Sequence, residues 1–381
     1  MTMHVIIAGV TTRALAQSAA RAGWRVTAVD AFGDQDLRAV AEVVGSRAGG
    51  HERFSATEAA RAAKQIAASA VTYTSNFENY PVAVALLSNG RRLLGNPPYV
   101  LEQIRNPITL MRALRRRGFT VPDTRASAPS RPDARPWLRK PRRSGGGHGT
   151  APWRRGRVPR SAYLQARVEG TPGSISFLAD GRRVVPIGIS RQLVGERAFG
   201  GSGYRYCGSI LSGGHEPLFA RAAEVTATAR ALATAVTEEF GLIGLNGLDF
   251  VAHDGIPYPI EVNPRYSASM ELVERVSRSK LSLFELHARA CEGALPGGMR
   301  TRPTVVGKAI VFAQRDVDVL PVGWSGIDIA DIPRPGERIA RGRPICTVFA
   351  EADSVAKCRA GLVRAAALVY RAVEAQARGV A

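Results

Sequence analysis

Residues 248–265 read LDFVAHDGIPYPIEVNPR, and this stretch decides how the fold is interpreted. It predicts two adjacent strands, with Asp249 at the end of an apolar strand, HDGIP as the turn, and Glu261 and Asn263 on the returning strand. Residues two apart on a strand share a face, so the three side chains can converge. Carboxylate and amide oxygens are hard ligands of the kind that Mg²⁺ takes beside phosphate oxygens. The stretch therefore favours a divalent-metal site, and an ordinary hairpin with a polar outer face is the alternative.

Length and composition predict a globular protein of two or three domains. The chain has 381 residues, 45% of them hydrophobic, and no run of 18 apolar residues that would predict a membrane span. The opening HVIIAGV is too short for a signal peptide, so we expect a cytoplasmic protein with no membrane attachment. Neither CxxC pairing nor zinc spacing is present, and we expect four reduced thiols at Cys207, Cys291, Cys346 and Cys358.

The formal net charge of +20 favours anionic partners. Arg supplies 47 of the 52 basic residues, which is typical of a compositional bias across a genome and weakens the charge as functional evidence. The arginine clusters at residues 115–117, 139–143 and 154–160 could bind phosphates. No RNP-like aromatic pair or zinc finger accompanies them, so nucleic acid is not the expected partner.

Residues 4–95 alternate between strand and helix patterns and predict a parallel α/β layer. Gly9 and Asp30 end the first two strands, as in dinucleotide-binding folds where an acid holds the ribose. The loop GVTTRA lacks the GxGxxG pattern. We therefore expect packing and substrate contact from these strand ends and do not expect NAD binding.

A proline-rich segment after Leu94 begins a second domain, and residues 131–160, rich in Pro, Arg and Gly, predict mobile loops. Within them, WLRKPRRSGGGHGT places Lys140 at a strand end before a Gly-rich turn, so a cation lies beside amides that can close over phosphates. A solvated linker is the alternative. The remaining predictions are antiparallel strands within 161–195, helices over 218–240 and 271–291, and a β-rich run from 304 that ends in a helix over 354–377.

The order of these pieces resembles the ATP-grasp superfamily of carboxylate–amine ligases. A Rossmann-like layer precedes a Gly-rich loop with a lysine, a strand ending in Gln, and the hairpin D…EVNPR. The resemblance covers roughly residues 1–300 and is most specific over 246–271. The opening GVTTRALAQSAARAGWRVTAVDAFGD and YCGSIL at 206–211 look similar to the predicted ATP-dependent carboligases, a subgroup that includes the tyramine–glutamate ligase of methanofuran biosynthesis.

The resemblance implies an α/β protein with α+β ATP-grasp lobes. It implies a Rossmann-like pre-ATP-grasp domain over residues 1–96, a two-lobed ATP-grasp domain over 97–300, and a small β-rich C-terminal domain with a terminal helix over 301–381. The segment GERIARGRPICTVFAE resembles the tail of carboxylase-type enzymes but has no MKM-like lysine turn. A covalently carried biotin is therefore not expected. This tail would cap the active site or mediate the formation of a homodimer.

The resemblance also implies ATP as the nucleotide and Mg²⁺ as the metal, with Mn²⁺ as an alternative. Asp249, Glu261 and Asn263 would hold the metal, and Arg265 would steady the transferred phosphoryl group. Arg105 stands where the family has a second phosphate-binding lysine, and Glu169 only loosely matches the acid that binds the ribose. Lys140 would contribute to both catalysis and nucleotide binding; the residues implied for nucleotide binding are Arg105, Lys140, Ser144, Gly145, Gly146, Gly147, Gln165 and Glu169.

The implied chemistry joins a small-molecule carboxylate to an amine. The carboxylate would attack the γ-phosphate of ATP, and an amine would displace phosphate from the acyl phosphate with little protein acid–base work. Arg205 is a candidate for binding the substrate carboxylate, whereas His148 and His215 are less expected as bases. The alternatives are another ATP-grasp activity, such as a carboxylase-type subunit, and a basic nucleic-acid-binding protein with a degenerate ATP site.

Overall fold

The structure is a computed structural model that describes residues 3–45, 54–129, 135–214, 216–319, 324 and 326–378. The N-terminal layer is a parallel five-stranded sheet in the order β3-β2-β1-β4-β5, which confirms the predicted α/β layer. Its elements are β1 (His4–Gly9), α1 (Arg13–Arg21), β2 (Arg25–Asp30), α2 (Gln35–Arg38), β3 (Glu42–Gly45), α3 (Ala56–Ala62), β4 (Ala70–Tyr73), α4 (Pro81–Ser88) and β5 (Arg92–Leu93).

Asp30 organises the loops at the carboxyl edge of this sheet. Its carboxylate accepts hydrogen bonds from the backbone N–H and the hydroxyl of Thr12 and from the backbone N–H groups of Phe32 and Gly33. These bonds tie the loop after β1 to the loop after β2. Because the carboxyl ends of parallel strands meet at one edge, the loops that follow β1, β2 and β4 lie together there.

A small four-stranded antiparallel sheet follows two helices, and we call residues 124–166 the small lobe. The order of its strands is β6-β9-β7-β8. Two of these strands lie within residues 131–160, where mobile loops were predicted. β7 contains the strand end predicted at Lys140, whereas β8 was not predicted, because its pairing with β7 overrides the local proline and glycine content. The elements are α5 (Pro98–Ile104), α6 (Pro107–Arg116), β6 (Thr124–Arg125), β7 (Trp137–Pro141), β8 (Ala151–Trp153) and β9 (Ala162–Ala166).

The central sheet has eight strands in the order β14-β13-β10-β11-β12-β15-β19-β17. The predicted helix over 271–291 is two helices, since the polar run SRSKLS interrupts it. The elements are β10 (Thr171–Asp180), β11 (Val184–Val194), β12 (Tyr206–Ser212), α7 (Ala222–Phe240), β13 (Ile243–His253), β14 (Ile256–Asn263), α8 (Met270–Val276), α9 (Leu283–Cys291), β15 (Val305–Phe312), β16 (Val317–Asp318), β17 (Ile329–Ala330), β18 (Arg338–Ile339), β19 (Pro344–Ala352) and α10 (Val355–Arg378).

The chain does not begin a new sheet at the expected boundary of residue 300. β15 pairs with β12, and β19 pairs with β15, so the C-terminal strands extend the central sheet. One core cluster accordingly joins Phe177 and Phe250 of this sheet to Leu232 of α7 and Leu362 of α10. The four cysteines are free thiols, as predicted. Among the described residues, no helix is both long and apolar enough to cross a membrane.

The two faces of the central sheet differ in polarity. The face toward α7 and α10 is apolar, whereas the opposite face carries Ser174, Ser190, Gln192, Ser209 and Asp249. This polar face lies on the side of α8, α9 and the N-terminal layer, whose apolar residues form a second core cluster with the sheet. The site is therefore built where the polar face, the N-terminal layer and the small lobe meet.

Candidate active site

The hairpin of β13 and β14 brings the three expected oxygen-bearing side chains together. Asp254 and Gly255 both have positive φ, 46° and 81°, which gives a tight two-residue turn and fixes the register of the strands. Asp249 is the cross-strand partner of Glu261, and the amide Nδ2 of Asn263 donates to Asp249 Oδ2 at 3.0 Å. The convergence predicted from the sequence is present, and the role of these residues as metal ligands stays a prediction.

The electrostatics of Asp249 favour a bound cation. Burial, followed by the negative charge of Glu261, raises the pKa of Asp249 to about 6. Gln192 Nε2 donates to Asp249 Oδ1 at 3.0 Å, so both carboxylate oxygens are oriented. No group of three or more His, Cys, Asp or Glu side chains in the described ranges has metal-binding geometry. A cation here would thus be held by two carboxylates and an amide, and its remaining ligands must come from a substrate or water.

Arg105 connects three parts of the site. Its guanidinium donates to Glu261 Oε2 at 3.3 Å and to the carbonyl oxygen of Val262 at 2.8 Å. It also donates to Asn79 Oδ1 at 2.9 Å and to the carbonyl oxygen of Ser144 at 3.1 Å. The N-terminal layer, the glycine-rich loop and the carboxylate hairpin therefore share one cation.

Glu78 lies in the site but was not predicted from the sequence. It follows β4, is only 1% exposed, and accepts from Arg265 Nη2 at 2.7 Å. Burial opposes the charge on Arg265, but the carboxylate of Glu78 outweighs it and raises the guanidinium pKa. Oε2 of Glu78 and Nε of Arg265 are buried and have no hydrogen-bond partner. The signal that could have identified Glu78 is an acid just past the carboxyl end of a parallel strand.

Lys140 and Gln165 lie side by side on neighbouring strands of the small lobe. Lys140 Nζ donates to Gln165 Oε1 at 3.1 Å and lies 5.9 Å from the centre of the Tyr163 ring. Gln165 also donates to Thr124 Oγ1 at 3.4 Å, so its amide is fixed from two strands. The structure brings these two predicted residues together on one face of the lobe.

Two other predicted site residues, Glu169 and Arg205, make contacts outside the carboxylate hairpin. Glu169 is exposed and lies 3.7 Å from Arg167 in an ion pair. Arg205 donates to the carbonyl oxygen of Gly342 at 3.0 Å and stacks 4.7 Å above the ring of Phe312. Their roles stay predictions. Of the two histidines, His148 is exposed in the glycine-rich loop and His215 lies outside the described residues.

The glycine-rich loop of residues 144–149 is docked against the segment before β12. Tyr206 donates its backbone N–H to the Gly146 carbonyl at 3.0 Å, and Ser144 Oγ donates to the His148 carbonyl at 2.6 Å. Gly147 has a φ of 76°, and a Cβ placed on it would lie 1.8 Å from the carbonyl oxygen of Tyr204. This close backbone approach requires glycine at residue 147.

Gly147→Ala is expected to release the loop. A positive φ costs alanine about 1–2 kcal/mol, and the clash with Tyr204 adds to this, so amide hydrogen exchange over residues 144–149 should accelerate at least about tenfold. Gly145→Ala is the matched control, because Gly145 has no atom within 4 Å of the added Cβ and no positive φ. Equal exchange rates in the two variants would show that the docking does not hold the loop.

The docked loop leaves little room beside Glu261. A cavity of about 20 Å³ lies there, lined by residues that include Arg105, Pro141, Tyr163 and Glu261. A space of that size holds about one water molecule. A ligand larger than a water molecule does not fit in this cavity unless its lining residues move.

Comparison with known proteins identifies the central part of the chain. Residues 104–269, which include the carboxylate hairpin and the glycine-rich loop, match the family described as the ATP-grasp domain. This segment is similar to the ATP-grasp domain. Among curated relatives, the chain is 32% identical over 148 residues to the formate-dependent phosphoribosylglycinamide formyltransferase of Parasynechococcus marenigrum, covering 34% of this chain and 37% of that one. The chain spans about a third of the length of the curated relatives it matches.

Solved structures show that the fold extends beyond the matched ATP-grasp segment. N5-carboxyaminoimidazole ribonucleotide synthetase from Thermus thermophilus has a TM-score of 0.68 and 20% identity, covering 96% of this chain and 98% of that one. The biotin carboxylase domain dimer of Hydrogenobacter thermophilus 2-oxoglutarate carboxylase, solved with MgADP, ADP and bicarbonate, has a TM-score of 0.71 and 14% identity over 93% of this chain and 87% of that one. The predicted fold class, a Rossmann-like layer with ATP-grasp lobes, is confirmed.

Proposed function

We propose that this protein is an ATP-dependent ligase that joins a carboxylate to an amine. The observation that carries the proposal is the pairing of Asp249 with Glu261 and Asn263 in an ATP-grasp domain, with Arg105 and Arg265 beside them. Two carboxylates and two guanidinium groups gathered at one point suit a substrate that carries phosphates together with a divalent cation.

The donor set fits Mg²⁺, with Mn²⁺ as the alternative. Asp249 and Glu261 are hard anionic ligands whose mutual repulsion a cation relieves, and Asn263 adds an amide oxygen once its Oδ1 is released from Arg265 Nη2, now 3.2 Å away. When bound, the ion would supply positive charge that neutralises the phosphates of ATP and the charge that develops on the transferred group. The biotin carboxylase domain of Hydrogenobacter thermophilus, solved with MgADP, supports this assignment.

The chain's own residues would bind and orient the nucleotide. Lys140 and the backbone amides of residues 144–147 would hold the phosphates after the loop has opened and closed again, and Arg105 would supply a second cation. Gln165 would meet the adenine edge, and Glu169 would approach the ribose. Arg265, oriented by Glu78, would face the phosphoryl group while it is transferred.

The reaction proceeds in two steps that need little acid–base chemistry from the protein. A carboxylate oxygen attacks the γ-phosphorus of ATP, the bond to the bridging oxygen breaks, and ADP leaves. The amine then attacks the acyl carbon, phosphate departs, and the amine gives up one proton as the amide forms. Arg205 would bind the substrate carboxylate. We propose a cytoplasmic homodimer, with cofactor biosynthesis of the methanofuran type as its pathway class.

A carboxylase-type reaction is the second candidate. It is favoured by the likeness of the fold to N5-carboxyaminoimidazole ribonucleotide synthetase and to a biotin carboxylase domain solved with bicarbonate. Bicarbonate would then take the place of the substrate carboxylate in the attack on ATP. ADP release that depends on bicarbonate distinguishes this reaction from the ligase reaction, which depends on an organic carboxylate.

Isotope transfer tests the proposed ligase reaction. ¹⁸O placed in the substrate carboxylate is expected to appear in inorganic phosphate, because the acyl phosphate carries a carboxylate oxygen away when the amine displaces it. ADP is the expected nucleotide product. A screen of carboxylates and amines for stimulated ADP release provides the substrates, and mass spectrometry of phosphate reads the label. AMP and pyrophosphate as products, with the label in AMP, would refute the assignment.

A further inference from the structure

Half of the net charge of the chain lies in the small lobe. Residues 124–166 contain eleven Arg or Lys residues and a single acid, Asp133, a net charge of +10 out of +20 for the whole chain. At the chain-wide frequencies, a segment of this length would hold about six basic and four acidic residues. A general preference for arginine explains the choice of Arg over Lys, but it does not explain this concentration in one lobe.

Five exposed arginines of the lobe form what we call the arginine surface. One of them lies on β7, and the other four lie on the segment that joins β8 to β9. Within the described residues, none of their guanidinium groups makes an ion pair. They are Arg139, Arg154, Arg155, Arg157 and Arg160.

Several exposed arginines elsewhere in the molecule are neutralised by ion pairs. Arg116 and Arg117 of α6 pair with Glu238 and Glu239 of α7 at 2.7 Å and 2.7–3.2 Å, and Arg359 pairs with Glu196 at 2.6 Å. The arginine surface has no such compensation, so its charges repel one another and attract an external anion. Single exposed arginines such as Arg61, Arg230 and Arg364 also form no ion pair within the described residues, but they lie on three different helices, whereas the lobe carries five on β7 and one adjoining segment.

The arginine surface adjoins the glycine-rich loop. The backbone N–H of Arg142, two residues before Ser144, donates to the carbonyl oxygen of Ser161 at 2.8 Å. The Arg142 side chain donates to the carbonyl oxygen of Arg160 at 3.2 Å. The segment that carries Arg154–Arg160 is therefore fastened to the base of the loop that covers the site.

We propose that the arginine surface docks an acidic polypeptide beside the active site. Guanidinium forks bind carboxylates bidentately, and several such contacts on adjacent segments match a run of Asp and Glu side chains. Nucleic acid fits less well, because Trp137 and Tyr163 are buried, Trp153 is half-buried, and no aromatic residue in the described part of the lobe is exposed. The described part of the lobe also contains no helix that could enter a major groove. The inference goes beyond the proposed function and does not depend on it.

Fluorescence anisotropy with a labelled oligoglutamate peptide of about twelve residues tests the proposal on the full chain. Arg154→Glu/Arg155→Glu/Arg157→Glu is expected to weaken binding at least about tenfold, whereas Lys at the same three positions is expected to preserve it. The matched control reverses three exposed arginines on helices α3, α7 and α10, namely Arg61→Glu/Arg230→Glu/Arg364→Glu, and is expected to bind like the parent. Circular dichroism confirms that each variant is folded.

Three outcomes would overturn the docking proposal. Equal loss of binding in the two glutamate variants would show a nonspecific effect of net charge. Tighter binding of a single-stranded oligonucleotide of the same charge, lost in the first variant only, would assign the surface to nucleic acid. No peptide binding at about 50 mM salt, where surface electrostatics are weakly screened, would show that the surface does not dock acidic chains. ADP release measured in parallel reports on the ligase proposal alone, so the two can fail separately.

Discussion

Glu261→Gln is expected to abolish turnover and leave the fold intact. Gln has nearly the same volume and keeps one oxygen, but it removes the anionic ligand that faces Asp249 across the hairpin. We expect kcat to fall at least about 100-fold, with an unfolding midpoint close to that of the parent. The charge of Glu261 also raises the pKa of Asp249, so the substitution lowers that pKa. Steady-state ADP release over a Mg²⁺ titration measures kcat, and thermal unfolding measures the unfolding midpoint.

Glu285→Gln is the control for this substitution. Glu285 pairs with Arg289 one turn along the same helix, and its side chain has no recorded hydrogen bond to Asp249, Glu261 or Asn263, so its replacement should change neither turnover nor stability appreciably. If Glu261→Gln had the activity of the parent at every Mg²⁺ concentration, Glu261 would not be a metal ligand.

Arg265→Met is expected to destabilise the protein as well as stop the reaction. It leaves the carboxylate of Glu78, 1% exposed, without its cation, and an unpaired buried charge of this kind costs about 3–5 kcal/mol. Glu78→Gln/Arg265→Met removes both charges, so it should recover most of the free energy of unfolding while turnover stays lost. Urea denaturation measures the free energy of unfolding of each variant, and ADP release measures its turnover.

The exposed pair of Arg302 and Glu351 provides the matched control. Both partners are more than a third exposed, so Arg302→Met should change the free energy of unfolding by less than about 1 kcal/mol. Recovery of turnover in the Glu78→Gln/Arg265→Met variant would contradict a direct role of Arg265 in phosphoryl transfer. A single Arg265→Met variant as stable as the parent would contradict the buried pair.

The carboxylate hairpin could be predicted from sequence because everything that fixes it is local. Asp254 and Gly255 set the turn and the register as far as the pair of Phe250 and Pro259, and a β-bulge between Asp249 and Phe250 then brings Asp249 opposite Glu261. The strand alternation then places Asn263 on the same face. No contact with a distant part of the chain is needed to obtain this part of the site.

The contribution of the N-terminal layer could not be predicted in the same way. Glu78 and Asn79 reach Arg265 and Arg105 only because one layer packs on another, across more than 180 residues for the first contact and 26 for the second. The strand β8 was missed for a related reason, since its stability comes from pairing with β7 rather than from its own proline-containing sequence.

The unbroken central sheet has a consequence for how this chain can be divided. The ATP-grasp family match ends at residue 269, yet β15, far beyond it, pairs with β12, and β19 pairs with β15. A shortened chain that stopped after α9 would carry a long bare edge strand, which is a template for aggregation. The segment that matches the family is therefore shorter than the part of the chain that one continuous sheet and its core hold together, which includes the strands and the last helix that follow it.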